Sequence, residues 1–338
     1  MRLEKLQAYL QDKGQEYQYT EEDGCGSIDW EHRGLMYHAW EFPESCAESN
    51  VRIAGKMEEY KGNYEEQIIN IMERWGKYMK IAVTGKGGVG KTSFAATLAR
   101  VFAETGRNVL AADADPDADP DANLGLALGF PEDMVDSIEP ISKMRKMIEE
   151  RTGADKDNTF YVLNPKVNDI PDQYGKLYHG VRLLLLGTVD TAGGGCVCPE
   201  NTILKRIISN LVLQRDDVVI LDMEAGLEHL GRGTTSGMDQ FIVVIEPGAR
   251  SIQTYRNVKR LALELGVKQV KVVASKIRDE KDEQFILEKI PAEDFLGFIH
   301  YHSSIMEADR LGKSPYDCSP ELVKEVKDIV QRMGGENL

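Results

Sequence analysis

The fold of this chain is decided by the stretch Gly85-Lys86-Gly87-Gly88-Val89-Gly90-Lys91-Thr92-Ser93. The apolar segment before it is typical of a short buried strand, and Phe94 to Glu104 after it carry apolar side chains at helical spacing. A strand, a G-x-x-x-x-G-K-T loop and a helix are the context that a phosphate-binding loop requires. Glycines let the backbone turn its N–H groups toward phosphate oxygens, and the helix N-terminus favours an anion. We therefore expect all nine residues to contact a nucleotide.

Two side chains of this loop have specific expected roles. Lys91 would reach the β- and γ-phosphates, and the Thr92 hydroxyl would ligate magnesium. The motif thus predicts an enzyme that hydrolyses a nucleoside triphosphate.

The bulk composition restricts the possible partners. The chain has 338 residues and a formal net charge of −15, and its length leaves room for about two domains. The acidic balance argues against nucleic acid or an anionic membrane as a partner, because both attract basic surfaces.

The N-terminal sequence does not resemble a signal peptide, and no apolar run is long enough to span a membrane. The five cysteines are not spaced as a disulfide framework. We expect a soluble, cytoplasmic protein.

A change in composition near residue 78 predicts two domains, 1–78 and 79–338. All three tryptophans and seven of the thirteen tyrosines lie in the first segment. Its pattern predicts a small α/β domain. The expected elements are helices at Leu3–Glu16 and Tyr64–Trp75 and strands at Ser27–Trp30 and Gly34–Phe42, with a polar loop before the second helix. No motif in this segment indicates a function.

The second segment alternates strands and helices, which predicts an α/β fold with a doubly wound, mostly parallel sheet. The predicted strands are Lys80–Thr84, Asn108–Asp113, Val181–Gly187, Val218–Met223, Phe241–Ile245, Val270–Ala274 and Phe295–His300. The predicted helices include Asn201–Leu213, Ser251–Leu265 and Pro320–Met333. In such folds, ligands bind at the carboxyl ends of the strands.

Carboxylates follow two of these strands. The unit Asp-Ala-Asp-Pro occurs twice in tandem from Asp113, at the end of the strand Asn108–Asp113. The residue that holds a magnesium-bound water or orients the attacking water is therefore Asp115 if aligned from the strand, or Asp119 if aligned from the end of the segment. We favour Asp115, because a strand end places a side chain more firmly than a loop.

Asp222 ends another buried strand and is the expected second carboxylate on the magnesium side. Glu224 and Gly226 follow it in a loop that can change shape on hydrolysis.

A thiol pair lies in the segment Gly193-Gly194-Gly195-Cys196-Val197-Cys198. Side chains at i and i+2 of an extended segment point the same way. One pair gives two thiolates, whereas a structural zinc site usually takes four ligands, so two chains meeting at a two-fold axis would complete a site. Thiolates suit zinc, copper(I) or nickel(II). Unligated thiols and a redox pair are the alternatives, and proximity to the nucleotide site favours metal.

The loop with its additional Lys86 resembles the deviant Walker A motif of the MinD/ParA/nitrogenase-iron-protein superfamily of P-loop NTPases. Within it, the segment Asp222 to Leu230 and the C-x-C pair resemble the CooC family, ATPases that assist nickel insertion into carbon monoxide dehydrogenase. The resemblance covers Met79 to about Met333.

The resemblance implies an ATP-dependent homodimer in which Lys86 reaches the partner's phosphates. Lys91 would then bind phosphate, and Thr92 and Asp222 would lie on the magnesium side. Cys196 and Cys198 would be metal ligands, for nickel or zinc, at the dimer interface. The implied cofactors are ATP and Mg²⁺, and the implied client is carbon monoxide dehydrogenase or a related nickel enzyme.

The adenine side departs from the superfamily pattern. Ser275-Lys276 stands where Asn-Lys is usual, and His300-Tyr301-His302 stands where Pro-x-Asp is common. We expect Ser275 and Lys276 to contact ATP. The two histidines are either additional metal ligands or, as we favour, part of a modified adenine-side loop.

Two alternative functions belong to the same superfamily. One is a positioning or partition ATPase of the MinD/ParA kind, which recruits a membrane or DNA. The other is an iron–sulfur reductase, which requires two well-separated cysteines in each subunit.

Overall fold

The computed structural model divides the chain into two compact units, Met1–Tyr78 and Met79–Leu338. It describes residues 4–12, 14, 16–22, 25–32, 35–41, 49–53, 56–60, 79–114, 123–153, 162, 165–167, 169–187, 218–223, 238–267 and 269–333.

The N-terminal unit combines one described helix with an antiparallel sheet. The helix α1 covers Glu4–Asp12, and the strands are β1 (Tyr17–Glu22), β2 (Cys25–His32), β3 (Leu35–Glu41), β4 (Ser49–Ile53) and β5 (Lys56–Tyr60). They pair in chain order. Leu6 and Leu10 of α1 are buried, as are Ile28 and Trp30 of β2, which follows from spacings of four in a helix and two in a strand.

The prediction for this unit was incomplete. The two predicted strands correspond to β2 and β3, but β1, β4 and β5 were missed, and part of the predicted polar loop is a hairpin of β4 and β5. Their sequences, such as Tyr-Gln-Tyr-Thr-Glu-Glu in β1, are short and rich in polar and charged residues, so they give only a weak strand signal. The predicted helix Tyr64–Trp75 lies outside the described residues.

The described residues of the C-terminal unit form an eight-stranded sheet. Its strands are β6 (Met79–Gly85), β7 (Val109–Asp113), β8 (Lys176–Tyr178), β9 (Val181–Leu185), β10 (Val218–Asp222), β11 (Gln240–Ile245), β12 (Val270–Ile277) and β13 (Phe295–His300). They lie in the order β13-β12-β11-β6-β10-β7-β9-β8. All neighbouring pairs are parallel except β8 with β9. The predicted α/β fold with a mostly parallel sheet is confirmed.

Helices cover both faces of this sheet. They are α2 (Lys91–Glu104), α3 (Asn123–Ala127), α4 (Glu132–Asp136), α5 (Arg145–Thr152), α6 (Ile170–Tyr174), α7 (Ala249–Glu264), α8 (Glu280–Lys289), α9 (Ser303–Arg310), α10 (Pro315–Cys318) and α11 (Pro320–Arg332). Alternate strand residues pack on α2 and α11 on one face, and on α5 and α7 on the other. Because both faces are covered, β7, β10 and β11 are continuous buried runs. No described helix has the length and apolarity needed to cross a bilayer.

The described strands of this sheet differ from the predicted ones in two places. The short antiparallel β8 was not predicted, and β12 runs to Ile277 rather than ending at Ala274. The extension contains a register shift after Ala274, and Lys276 within it has a φ of 57°. A bulge of this kind redirects side chains at the end of a strand. The predicted helix Asn201–Leu213 lies outside the described residues.

A buried polar cluster lies at the amino end of β13, the sheet edge opposite the carboxyl ends. Asp294 is 7% exposed, and its carboxylate accepts hydrogen bonds from the Tyr255 hydroxyl and the Lys259 ammonium. Burial and the neighbouring carboxylate raise the pKa of Tyr255 to about 12. The cluster ties α7 to the start of β13.

We expect Asp294→Ala to lower the free energy of unfolding by about 2 kcal/mol, because it leaves the buried Tyr255 hydroxyl without its acceptor. Urea unfolding followed by circular dichroism measures this. The matched control is Glu264→Ala, which removes an exposed pair with Arg260 and should cost about 0.5 kcal/mol or less. Nucleotide affinity should not change. Equal stability of the two variants would contradict the assigned role of Asp294.

Candidate nucleotide-binding site

The carboxyl ends of three central strands bring two carboxylates together. Asp222 of β10 aligns with Val83 of β6 and with Asp113 of β7. Aligned residues of parallel strands point to the same face, and alternation along each strand assigns both aspartates to the face covered by α2. Asp222 is 3% exposed and Asp113 is 5% exposed. The structure thus places Asp222 at the predicted strand end and adds Asp113, which the sequence interpretation had used only to mark the end of a strand.

Backbone hydrogen bonds fix where the two predicted switch segments begin. The amide of Ala114 donates to the carbonyl of Asp222 at 2.9 Å, and that of Met223 donates to the carbonyl of Val83 at 2.9 Å. The segment after β7 therefore leaves the sheet beside the end of β10, and the segment after β10 leaves it beside the end of β6. The predicted switch residues themselves lie outside the described residues: Asp115, Asp119, Glu224 and Gly226.

Glycines shape the loop at the end of β6. Gly85 has a φ of 153°, and a Cβ added there would lie 2.3 Å from the carbonyl oxygen of Val244 in β11. Gly88 and Gly90 have φ values of 75° and 92°, in the left-handed region that favours glycine. Gly90 caps α2 without a side-chain hydrogen bond. The first N–H groups of α2 therefore have no side-chain cap at Gly90, which suits an anion.

Lys91 is held at the base of this loop. It is only 8% exposed, and its ammonium donates a hydrogen bond of 3.2 Å to the carbonyl oxygen of Lys86. An ammonium has three donors, so this contact orients the group and still leaves donors for a ligand. Lys86 itself is half-buried and Thr92, one residue after Lys91, is also half-buried.

Ser275 and Lys276 hold the loop from the end of β12. The Ser275 hydroxyl lies 2.6 Å from the carbonyl oxygen of Val89, to which it donates. The Lys276 ammonium donates to the carbonyl oxygen of Gly88. Two consecutive loop carbonyls are thus turned toward β12. This role in holding the loop was not predicted, and the contact of both residues with ATP stays a prediction.

A pocket opens beside the loop on the α2 side. Its apolar walls come from Val89, Phe94, Ile299, Ile305, Met306 and Leu322, and its polar lining includes Ser93, Ser275, Lys276, His300 and His302. A largely apolar slot with a few polar groups next to a phosphate loop suits a flat heteroaromatic base.

His300 and His302 are engaged with carboxylates. The His300 ring contacts Glu325 at 2.8 Å and Glu283 at 3.0 Å, and the His302 ring contacts Glu325 at 3.1 Å. Among the described residues, no group of three or more histidine, cysteine or acidic side chains is arranged to hold a metal ion. The arrangement favours the pocket-wall interpretation over additional metal ligands. The two glutamates were missed, because they are distant in sequence and lie within ordinary helical patterns.

The oxygen donors present fit magnesium. The Thr92 hydroxyl and the carboxylates of Asp113 and Asp222 are the hard ligands that this ion prefers. The thiol pair Cys196 and Cys198 lies outside the described residues.

Comparisons with known proteins agree with this geometry. A model described as the CobQ/CobB/MinD/ParA nucleotide binding domain matches residues 80–316. Carbon monoxide dehydrogenase accessory protein CooC of Rhodospirillum rubrum is 46% identical over 72% of this chain and 91% of its own length. An uncharacterized ATP-binding protein of Methanocaldococcus jannaschii is 42% identical over 74% of this chain and 96% of its own length.

Solved structures show the same fold at low identity. Septum site-determining protein MinD of Pyrococcus horikoshii, complexed with Mg-ADP, is 20% identical with a TM-score of 0.52, and covers 77% of this chain and 98% of its own. The MinC:MinD complex of Aquifex aeolicus gives 19% identity and a TM-score of 0.53, covering 77% and 97%. The chain therefore belongs to the CobQ/CobB/MinD/ParA nucleotide-binding family and, within it, to the CooC family of P-loop ATPases.

Proposed function

We propose that this chain is a homodimeric, magnesium-dependent ATPase that assists nickel insertion into carbon monoxide dehydrogenase or a related nickel enzyme in the cytoplasm. The observation that carries the proposal is the match to the R. rubrum accessory protein, which extends over 91% of that protein. The described phosphate loop supports it, because the glycine geometry and Lys91 are arranged for a bound triphosphate.

In the proposed mechanism, the loop N–H groups and Lys91 hold the phosphates. Thr92 and Asp222 would hold magnesium, whose charge would supply neutralisation at the phosphate oxygens. Asp115 orients the attacking water, with Asp119 as the alternative. Lys86 reaches the phosphates of the partner chain, so ATP closes the dimer.

We further propose that Cys196 and Cys198 from both chains bind nickel, or zinc, at the dimer interface. Four thiolates then surround one metal ion, which is cargo and not a resident cofactor. Hydrolysis relaxes the segment that contains Glu224 and Gly226 and changes how the thiolates hold the metal. This coupling requires that the metal bind the two nucleotide states with different affinity.

The C-terminal helix argues against the alternative of a membrane-recruited positioning ATPase. The apolar side chains Leu322, Val326 and Ile329 of α11 are at most 1% exposed. They pack with α2 and the sheet. The apolar face that an interfacial helix would insert into lipid is thus part of the core.

Lysine substitutions test the ATPase proposal. Lys91→Ala should weaken ATP binding about 100-fold, because it removes a charged donor from the phosphates. Lys86→Ala should bind ATP nearly as well as the wild type but fail to dimerise. Calorimetry and light scattering with a non-hydrolysable ATP analogue measure the two effects, and the exposed Lys313→Ala is the control. If the Lys86→Ala protein dimerises normally with the analogue, Lys86 does not close the dimer by reaching the partner's phosphates.

Cysteine substitutions test the metal proposal. Cys196→Ser and Cys198→Ser should each remove most of the nickel bound by the anaerobic protein, because each takes two of the four thiolates from a dimer. Cys318→Ser is the matched control, since Cys318 is a half-buried unpaired thiol in α10. Metal analysis gives the stoichiometry. Full stoichiometry in Cys196→Ser would exclude the thiol site, and equal nickel affinity with ADP and with the ATP analogue would exclude the coupling.

A further inference from the structure

Four side chains connect the part of the pocket wall at His300–His302 to two helices, α8 and α11, that do not themselves bind phosphate. We call Glu283, His300, His302 and Glu325 the His–Glu cluster. Glu325 of α11 accepts from the backbone N–H of His300 at 3.2 Å and contacts the rings of His300 at 2.8 Å and His302 at 3.1 Å. Glu283 of α8 contacts the other nitrogen of His300 at 3.0 Å. The position of the wall therefore depends on two carboxylates.

The hydrogen-bond chemistry requires a specific protonation state of His300. Its Nδ1 faces Glu325, and its Nε2 faces Glu283. Ionised carboxylates only accept hydrogen bonds, so both contacts form only when both ring nitrogens carry a proton. A neutral ring can donate to one carboxylate and turns a lone pair toward the other.

The surroundings favour this charged state. Burial lowers the pKa of His300, but the hydrogen bonds and charges of Glu283 and Glu325 outweigh it and raise the pKa above its usual 6.5. The two cationic side chains at the end of the neighbouring strand β12 make contacts with other groups. Lys276 binds the Gly88 carbonyl, and the Arg278 guanidinium lies 5.9 Å from the Tyr301 ring centroid. Asp282 of α8 accepts the Arg278 backbone N–H.

Two members of the cluster, His300 and His302, line the pocket. His300, Tyr301 and His302 line it together with Ser275 and Gly90, whereas Lys91 contacts the carbonyl of Lys86 at the base of the loop. A change in the wall thus acts on the nucleoside part of a ligand and leaves the phosphate contacts in place.

We propose that Glu325 and Glu283 are positioning residues that hold the His300–His302 wall against the nucleoside, so that protonation of His300 strengthens nucleotide binding. Loss of the proton breaks one carboxylate contact and releases the wall. Affinity is then highest at low pH and falls as the pH rises through the raised pKa of His300. The inference rests on nucleotide binding at the P-loop, and is independent of the nickel and client assignments.

The test compares ADP with pyrophosphate, which has no nucleoside, in the full-length protein by calorimetry between about pH 6 and about pH 8.5. The ratio of the two affinities should fall about tenfold with rising pH in the wild type. In Glu283→Gln and Glu325→Gln the midpoint of this fall should move to lower pH, so that both bind ADP more weakly near neutrality. ADP and pyrophosphate ionise differently with pH, but this contribution to the ratio is the same for every protein and cancels when the variants are compared with the wild type.

Controls separate this effect from loss of structure. Glu288→Gln changes an exposed glutamate of the same helix α8 outside the cluster, and should match the wild type. Pyrophosphate affinity should be the same in all variants, which shows that the loop is folded. The pKa of the His300 ring, followed by NMR and assigned with His300→Gln, should fall in Glu283→Gln.

Two results would overturn the inference. One is a wild-type ADP-to-pyrophosphate ratio that does not change with pH. The other is a Glu283→Gln profile that coincides with that of Glu288→Gln. Failure of either nucleotide or pyrophosphate to bind the wild type would instead overturn the P-loop assignment itself.

Discussion

The close approach of Gly85 to the Val244 carbonyl is the constraint on which the nucleotide site depends. A Cβ at this position would lie 2.3 Å from that oxygen, so β6 and β11 can pair to the end of β6 only with glycine there. The chain then leaves the sheet at a point fixed by both neighbouring strands. The position of Gly85 therefore sets the positions of Lys91, at the base of the loop, and of the N-terminus of α2.

A second constraint is the concentration of charge at one edge of the sheet. Asp113 and Asp222 are buried side by side in a chain of net charge −15. Buried carboxylates require compensation by hydrogen bonds or cations, and triphosphate adds more negative charge. Lys91 lies at the same end of the sheet, at the base of the phosphate loop. The buried acidic pair is therefore placed beside the positive group that the phosphates of a nucleotide would contact.

The sequence predicted those parts of the fold that have a local signal. The glycine pattern located the loop, and continuous apolar runs located β6, β7, β10 and β11, because a parallel sheet covered on both faces leaves such runs. The strands β4 and β5 of the N-terminal unit were missed, since polar strands have no such run. The extension of β12 through Lys276 was missed because a bulge is set by tertiary pairing.

The same distinction applies to the site. Lys91 was predicted from the glycine-rich motif, and Asp222 from its position at the end of a predicted strand. The hydrogen bond from Ser275 to the Val89 carbonyl and the contacts of Glu325 with His300 join residues far apart in the chain. No spacing rule identifies such pairs, because the fold and not the local sequence brings them together. The structure was needed to show that the two histidines face carboxylates.

The order of the strands has a consequence for biosynthesis. β6 is the first strand of its sheet to leave the ribosome, yet its two neighbours, β10 and β11, begin only at Val218 and Gln240. Pairing over such a sequence distance is slow, because the intervening chain must be ordered first. The end of β6 stays without its flanking strands until most of the unit has been translated. The nucleotide loop, which follows β6, therefore gains the two strands that fix its position only late in synthesis.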